Sequence, residues 1–303
     1  MTTPTMSNGR DNPQPTAGAS PLLRFGWGSW VPLVGVGRNR SIPTGSGLYR
    51  VRVVDGPVVY VGQTGASLRG RVGMLAGVTA EVMPYNDPHT AAPGLWALRH
   101  RDGCRFEVSV VPVDADRWDR CGLEALAITA HRVSVGGSPM LNFGGMPAGY
   151  RKSTGNNAAL VAAGARHRGG PDVTVAAPIP SVSVHGPLDG PPTGAVWVGF
   201  EWSPWVPLPE ATVGPAGAVG LYRIADRDHG TLVYIGQGSI SRRLSVHRAP
   251  RRATQLHPDG PDRLIASWVT LDLPGRMLLE HENDLIAAHV HTAGHPPAAQ
   301  FNR

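Results

Sequence analysis

Lysine is almost absent from this chain of 303 residues, because Lys152 is the single lysine among its 28 basic residues. The formal net charge is nevertheless +6, and arginine carries nearly all of the positive charge. A genome rich in G and C accounts for arginine in place of lysine, so the sign of the charge is the more informative observation. A guanidinium donates two hydrogen bonds to a phosphate at once, and a net positive charge favours a polyanionic partner.

Cysteine and long apolar runs are also scarce. Cys104 and Cys121 are the only cysteines, which excludes a disulfide framework and a zinc knuckle. No apolar run approaches the roughly 18 residues of a membrane span. Residues 1–20 are rich in Thr, Pro, Gly and Ser and lack the apolar core of a signal peptide. We therefore expect a cytoplasmic, reduced protein that does not enter a membrane.

What the sequence does contain is an internal repeat with an offset of about 175 positions. Two aromatic boxes, residues 25–33 and 200–208, share the pattern Phe-x-Trp-x-x-Trp-Val-Pro-Leu. Each box is followed by a Gly-Leu-Tyr tripeptide and then by Tyr-Val-Gly or Tyr-Ile-Gly. The repeat predicts two similar structural units in one chain. Each box has two interpretations, a group of aromatic side chains in the core or a platform on which bases stack.

The fold class predicted from this repeat is α/β, with two tandem small domains. Residues 1–20 are expected to be disordered, and residues 151–192, rich in Gly and Pro, are expected to form a flexible linker. The two domains are then residues 21–150 and 193–303.

Each copy shows the same predicted elements. In copy one, residues 47–54 and 58–61 form a hairpin, a helix begins near Ser67, and residues 106–113 form a third strand. Asp114 or Asp116 then caps a second helix. Between residues 73 and 101 only a helix at 93–99 is predicted. Copy two predicts strands near 219–225, 232–235 and 265–271, a helix through Arg243 and a helix from Pro274 through Glu282.

Five polar or aromatic positions recur in the same order in both copies. They are Tyr49, Tyr60, Arg71, Glu124 and Asn142 in copy one, and Tyr222, Tyr234, Arg243, Glu282 and Gln300 in copy two. This order, with its paired Gly-Leu-Tyr and Tyr-Val-Gly strands, resembles the GIY-YIG nuclease superfamily over roughly residues 45–145 and 218–303. The resemblance implies, in each copy, a three-stranded antiparallel sheet flanked by helices and a site that hydrolyses phosphodiester bonds.

The resemblance also implies a role for each residue. Glu124 and Glu282 would each hold one divalent ion, Mg²⁺ or Mn²⁺. Tyr49 would be the base, Tyr60 a supporting hydrogen bonder and Arg71 the group that stabilises transition-state charge, while Asn142 would hold the site together. In copy two, Tyr222, Tyr234 and Arg243 would take the same roles.

These residue types suit the chemistry on independent grounds. Phosphodiester hydrolysis passes through a state with extra negative charge, which a guanidinium and a carboxylate-bound metal ion stabilise. A phenol can deprotonate the attacking water only if nearby positive charge lowers its pKa from about 10. Glu124 lies on an otherwise apolar helix, where a buried carboxylate is costly without a partner or a metal ion.

Other residues extend or complicate this site. Arg69 is an alternative to Arg71 as the group that stabilises transition-state charge. We also expect Arg69, Arg242 and His247 to contact nucleic acid. Gln300 replaces the asparagine of copy one, so the sequence leaves open whether copy two is active or vestigial. Glu280, two positions before Glu282, leaves the register of the second carboxylate uncertain.

The sequence therefore predicts a metal-dependent endonuclease, with DNA the favoured substrate. The chain would be a monomer with internal pseudo-symmetry whose two sites act on double-stranded DNA. Two alternatives remain open: a nucleic-acid-binding protein that keeps the fold but does not cut, and a relative of the fold that acts on another substrate.

Overall fold

The computed structural model describes residues 25–86, 89–155, 157–212 and 217–301, which form a mixed α/β protein with antiparallel sheets. The segment predicted to be disordered, residues 1–20, lies outside the described residues. No helix within the described ranges is long and apolar enough to cross a membrane.

The first half contains four strands of one sheet and three α-helices. In chain order these are β1 (Val31–Pro32), β2 (Gly47–Val53), β3 (Val58–Thr64), α1 (Leu68–Gly73), α2 (Ala92–Asp102), β4 (Phe106–Pro112) and α3 (Arg117–Val135). The strand order is β1-β4-β2-β3, so the first strand of the Gly-Leu-Tyr hairpin lies in the middle.

The second half repeats this arrangement. The segment between the halves contains β5 (Tyr150–Arg151), α4 (Ala158–Ala162) and β6 (Gly170–Pro171). The elements of the second half are, in chain order, β7 (Val196–Trp197), β8 (Phe200–Glu201), β9 (Val206–Pro207), β10 (Val219–Asp226), β11 (Leu232–Ser239), α5 (Ile240–Arg248), α6 (Pro250–Leu256), β12 (Leu264–Thr270) and α7 (Gly275–Ala293). The order of its sheet, β11-β10-β12-β9, matches that of the first half element by element.

Each of these sheets has four strands and not the three expected. The additional strand is the Val-Pro dipeptide of the aromatic box, which pairs with β4 in the first half and with β12 in the second. Proline cannot donate a backbone hydrogen bond, so it is confined to sheet edges, and both dipeptides lie at an edge. The sequence reading placed the boxes outside the sheet and therefore missed this strand.

The predicted elements around the site are confirmed. Ser67 caps α1 by accepting a hydrogen bond from the Gly70 nitrogen at 3.0 Å. Of the two candidate caps for α3, Asp116 is the one used, since its carboxylate accepts hydrogen bonds from the backbone nitrogens of Trp118 and Asp119. The helix predicted at 93–99 extends over Ala92–Asp102.

Helices α3 and α7 contact each other and join the two halves. At their contact the guanidinium of Arg132 donates to both carboxylate oxygens of Asp284, at 2.9 and 3.0 Å. The Thr129 hydroxyl donates to the same carboxylate at 2.9 Å. Glu280 pairs with Arg132 at 3.1 Å, and both of these side chains are fully buried. Glu280 therefore belongs to the contact between the halves, which resolves the register of α7 in favour of Glu282 as the site carboxylate.

Candidate active site

Two tyrosines stand together on the central hairpin of each sheet. Tyr49 on β2 and Tyr60 on β3 have ring centroids 6.0 Å apart, and Tyr222 and Tyr234 are 6.1 Å apart. All four come from the Gly-Leu-Tyr and Tyr-x-Gly tripeptides, so the repeated sequence pattern places the same two phenols side by side in both halves.

The glycines of these tripeptides have a steric explanation. Tyr49 is paired across the sheet with Gly62, and a Cβ atom at Gly62 would lie 2.6 Å from the Tyr49 hydroxyl oxygen. At Gly236 the corresponding distance to the Tyr222 hydroxyl is 2.4 Å. Carbon atoms do not approach so closely, so the phenol can cross its neighbouring strand only where that strand carries glycine.

A histidine completes the first cluster, and the sequence reading missed it. The Nε2 atom of His89 lies 3.3 Å from the Tyr49 hydroxyl, and its ring meets Tyr49 edge to face at 5.6 Å. The next residue, Thr90, lies 3.1 Å from the Tyr60 hydroxyl. Because His89 belongs to the segment before α2, 40 positions along the chain from Tyr49, its position carried no motif or spacing that could have identified it.

In the second half the histidine is His247, which lies on α5, four residues after Arg243. Its Nε2 atom is 2.9 Å from the Tyr222 hydroxyl, and its ring is 4.8 Å from that of Tyr234. His247 was expected to contact nucleic acid; the structure instead buries it against the two phenols. The two halves thus reach the same tyrosine-tyrosine-histidine arrangement from different parts of the chain.

Arg71 and Glu124 lie beside the tyrosines of the first half. Arg71 is in the last turn of α1 and Glu124 on α3, and the charges of both side chains act on the pKa of Tyr49 and of Tyr60. Burial raises the pKa of Glu124 to about 7, although the guanidiniums of Arg71 and Arg120 oppose the shift. The structure therefore brings together four of the five residues predicted for copy one at a single position.

Arg120 is a second cation at this site that the sequence reading did not single out. It lies one helical turn before Glu124 and donates to the side chain of Gln63 at 2.8 Å and to the carbonyl of Ala115 at 2.8 Å. The spacing of four residues between Arg120 and Glu124, which places both side chains on one face of α3, is the sequence feature that could have identified Arg120. Leu278 occupies the equivalent position in α7, and the additional cation of the second site is Arg252, whose guanidinium lies 5.6 Å from the centre of the Tyr234 ring.

In the second site the charges of Arg243 and Glu282 likewise act on the pKa values of both tyrosines. Burial raises the pKa of Glu282 to about 7, and only the Arg243 charge opposes the shift. Arg243 is exposed and lines a surface depression together with Gly238, Ser239, Arg242 and Val246.

Arg69 does not join the first site. Its guanidinium donates to the carbonyl oxygens of Ile42 at 2.8 Å and of Arg40 at 3.2 Å, and so fixes the loop before β2. Arg71, whose Nε atom has no hydrogen-bond partner, is the arginine that faces the tyrosines.

Asn142 and Gln300 act on the strand that carries the second tyrosine. Asn142 exchanges two hydrogen bonds of 2.9 Å with the backbone of Val61, which lies between Tyr60 and Gly62. Gln300 exchanges the same pair with Ile235, at 2.9 and 3.0 Å. The longer side chain thus makes the same contacts as the asparagine.

Burial controls the protonation states of the site. Burial, followed by the nearby Tyr60 phenol, raises the pKa of Tyr49 well above its usual value, and Arg71 lowers it by less. The condition under which this phenol could deprotonate water on its own, a pKa lowered by nearby positive charge, is therefore not met. Burial lowers the pKa of His89 to about 3 and that of His247 to about 4. At pH 7 the phenols are protonated and the imidazoles neutral.

The carboxylates suit a magnesium ion that takes its remaining ligands from water and substrate. Among the described residues, neither Glu124 nor Glu282 accepts a hydrogen bond, and no group of three or more His, Cys, Asp or Glu side chains could hold a metal ion. Mg²⁺ is often bound through only one or two carboxylates plus phosphate oxygens and water, so a single glutamate at each site fits.

Comparisons with known proteins give no match. No protein-family model, no curated protein and no solved structure matches this chain.

Proposed function

We propose that the chain is a metal-dependent endonuclease, with DNA as the favoured substrate and with two sites built on tandem GIY-YIG-like domains. The observation that carries this proposal is the recurrence, in both halves, of two phenols, a neutral imidazole, an arginine and a half-buried glutamate around one point. A chance cluster would not be expected twice with its histidine drawn from different elements.

The raised pKa of Tyr49 defines how this site could activate water. A free phenolate is costly at pH 7, so Tyr49 can act as a base only if it passes its own proton on. The neutral Nε2 of His89 lies 3.3 Å from the hydroxyl, but its pKa of about 3 makes it a poor acceptor for the Tyr49 proton. We therefore propose that Tyr49 and His89 orient the attacking water as neutral hydrogen-bonding groups, and that a divalent ion held by Glu124 would lower the pKa of that water. Tyr222, His247 and Glu282 would act in the same way in the second site.

The remaining residues would stabilise negative charge on the substrate and keep the tyrosines in position. A divalent ion bound by Glu124 or Glu282 would supply Lewis-acid stabilisation of the phosphate oxygens. Arg71 and Arg243 face the same region and would stabilise the negative charge of the transition state. Asn142 and Gln300 would keep Tyr60 and Tyr234 in register through their contacts with the strand.

The experiment is cleavage of supercoiled plasmid in Mg²⁺ or Mn²⁺, with EDTA as the control. We expect nicked and linear products from the wild type and none in EDTA. Glu124→Gln combined with Glu282→Gln should abolish cleavage and leave DNA binding intact. Unchanged cleavage in EDTA or in the double variant would refute the proposal.

One observation favours a second function, a nucleic-acid-binding protein that does not cut. Both phenols of the first site have raised pKa values, and both histidines are strongly shifted towards the neutral form. Binding of DNA without cleavage under any divalent ion would support this alternative.

A further inference from the structure

The first aromatic box contributes to a stack of alternating rings and guanidiniums on the sheet of the first half. The Arg50 guanidinium carbon lies 4.7 Å from the ring centroid of Trp27 and 4.5 Å from that of Trp30. Arg52 lies over Trp30 at 4.4 Å. We call Trp27, Arg50, Trp30 and Arg52 the first stack. Because two guanidiniums already lie over Trp30, a base cannot readily stack on it, and the groups available to a ligand are N–H donors.

The second half contains an equivalent stack whose donors are filled. Arg223 lies over Trp202 at 4.3 Å and Trp205 at 4.6 Å and is fully buried. Its terminal nitrogens donate to the carbonyl oxygens of Pro192 at 2.6 Å and Gly194 at 2.7 Å. The second stack is therefore closed by the chain's own backbone.

The first stack has no such closure within the described residues. There the Arg50 guanidinium donates no hydrogen bond, its Nε atom is buried without a partner, and no carboxylate pairs with it. Trp27, Trp30, Arg50 and Arg52 are all only half-buried. Stacking fixes the plane of the Arg50 guanidinium while its terminal donors find no partner among residues 25–86, 89–155, 157–212 and 217–301, which is the arrangement of a preformed receptor for oxygen atoms.

The net charge of the first stack indicates whether a neutral or an anionic oxygen atom is the better ligand for it. Arg52 pairs with Glu107 at 2.7 Å, so two stacked guanidiniums share one carboxylate and one positive charge is left over. Arg52 and Glu107 are partners across neighbouring strands, and the equivalent partners in the second half, Ala225 and Ile265, carry no charge. Neutral carbonyls satisfy the second stack, whereas an anionic oxygen would also neutralise the excess charge of the first.

We propose that the first stack binds a backbone phosphate of nucleic acid through Arg50, as an anchor that the second half lacks. This inference rests on the proposed function, since it names a contact with the same substrate. It makes the protein asymmetric: nucleic acid would be held by the first half at a point separate from either cluster of tyrosines.

The test is equilibrium binding of a fluorescently labelled DNA duplex in EDTA, where no cleavage occurs, at several salt concentrations. Arg50→Met should weaken binding at low salt about tenfold and reduce the magnitude of the log-log salt slope by about 0.9, the value for one phosphate. The matched control is Arg101→Met, which also removes one positive charge but from an exposed side chain paired with Asp102. The control should bind as the wild type does.

Each outcome has a separate meaning. No binding by the wild type would refute the proposed function itself. Wild-type binding with an unchanged salt slope in Arg50→Met would overturn only the phosphate anchor, and a lower melting temperature in that variant would then indicate that protein carbonyls fill the stack. If Arg50→Met does not fold, Arg50→Lys serves instead. It keeps the charge but loses the planar fork, so it should weaken binding with the slope retained, and unchanged affinity would overturn the proposal.

Discussion

Asn142 holds the backbone of Val61 by both of its polar groups, with the side-chain oxygen and nitrogen each 2.9 Å from their backbone partners. Because Val61 separates Tyr60 from Gly62, this contact fixes the strand on which the site is built. Gln300 holds Ile235 in the same way. Gln300 thus makes both hydrogen bonds that Asn142 makes, although its side chain is longer by one methylene group.

We predict that Asn142→Leu and Gln300→Leu destabilise the protein by similar amounts, about 1–3 kcal/mol each, because each leaves a buried backbone N–H and C=O without partners. Chemical denaturation measures this. A large loss for Asn142→Leu with none for Gln300→Leu would show that the two contacts are not equivalent.

The sequence predicted the strands and helices around the site because the repeat and its tripeptides are local patterns. These patterns singled out Tyr49, Tyr60, Arg71 and Glu124, which the structure brings together. His89 was not, because its proximity to Tyr49 depends on the path of the chain between α1 and α2, where no periodicity exists. The net rise in the pKa of Tyr49 could not be predicted either, because burial is a tertiary property that charge counting does not include.

The glycine beneath the first tyrosine gives a steric prediction. Gly62→Ala places a Cβ atom 2.6 Å from the Tyr49 hydroxyl, so the phenol must move, at a cost of about 1–3 kcal/mol in the free energy of unfolding. Gly77→Ala is the control, since no atom lies within 4 Å of the added Cβ there. Denaturation of both variants tests the prediction, and equal stabilities would contradict it.

The histidines give a prediction about each site separately. In a Glu282→Gln background, where only the first site is intact, His89→Gln should lower the nicking rate about 10²-fold, because loss of the imidazole that orients the Tyr49 hydroxyl misplaces the attacking water. The same substitution in a Glu124→Gln background should have little effect. His247→Gln should show the reverse pattern. Loss of nicking from His89→Gln in both backgrounds would mean that the two halves form one shared site.

The two half-buried glutamates, Glu124 and Glu282, predict how stability depends on pH. The pKa of Glu124 is raised to about 7 in the folded protein from about 4.3 in an unfolded chain, so the folded state binds more protons between these values. Its contribution to stability is complete below about pH 4 and is lost as the pH rises through 7. Glu124→Gln should therefore raise the free energy of unfolding by about 2–4 kcal/mol at pH 8 and change it little at pH 4.

Magnesium supplies the control for that prediction. If Glu124 and Glu282 bind the ion as carboxylates, Mg²⁺ should raise the melting temperature of the wild type at pH 8 more than at pH 5. The variant with both glutamates replaced by glutamine should not respond. An equal response from wild type and variant would mean that the ion binds elsewhere.

The contact between the halves rests on Arg132 and Asp284, both fully buried and joined by two hydrogen bonds. Removing one partner of such a pair leaves an uncompensated buried charge, which costs about 3–5 kcal/mol. Arg132→Met and Asp284→Asn should each destabilise the protein by about this amount. Because Glu280 also faces Arg132, Arg132→Met leaves Asp284 without its arginine and leaves Glu280 with only the more distant Arg276, at 3.7 Å, so it should be the more damaging change. The double variant should lose less than the sum of the two single losses, since a second substitution removes a charge that the first had left without a partner. Additive losses in chemical denaturation would show that the two side chains do not stabilise the contact as a pair.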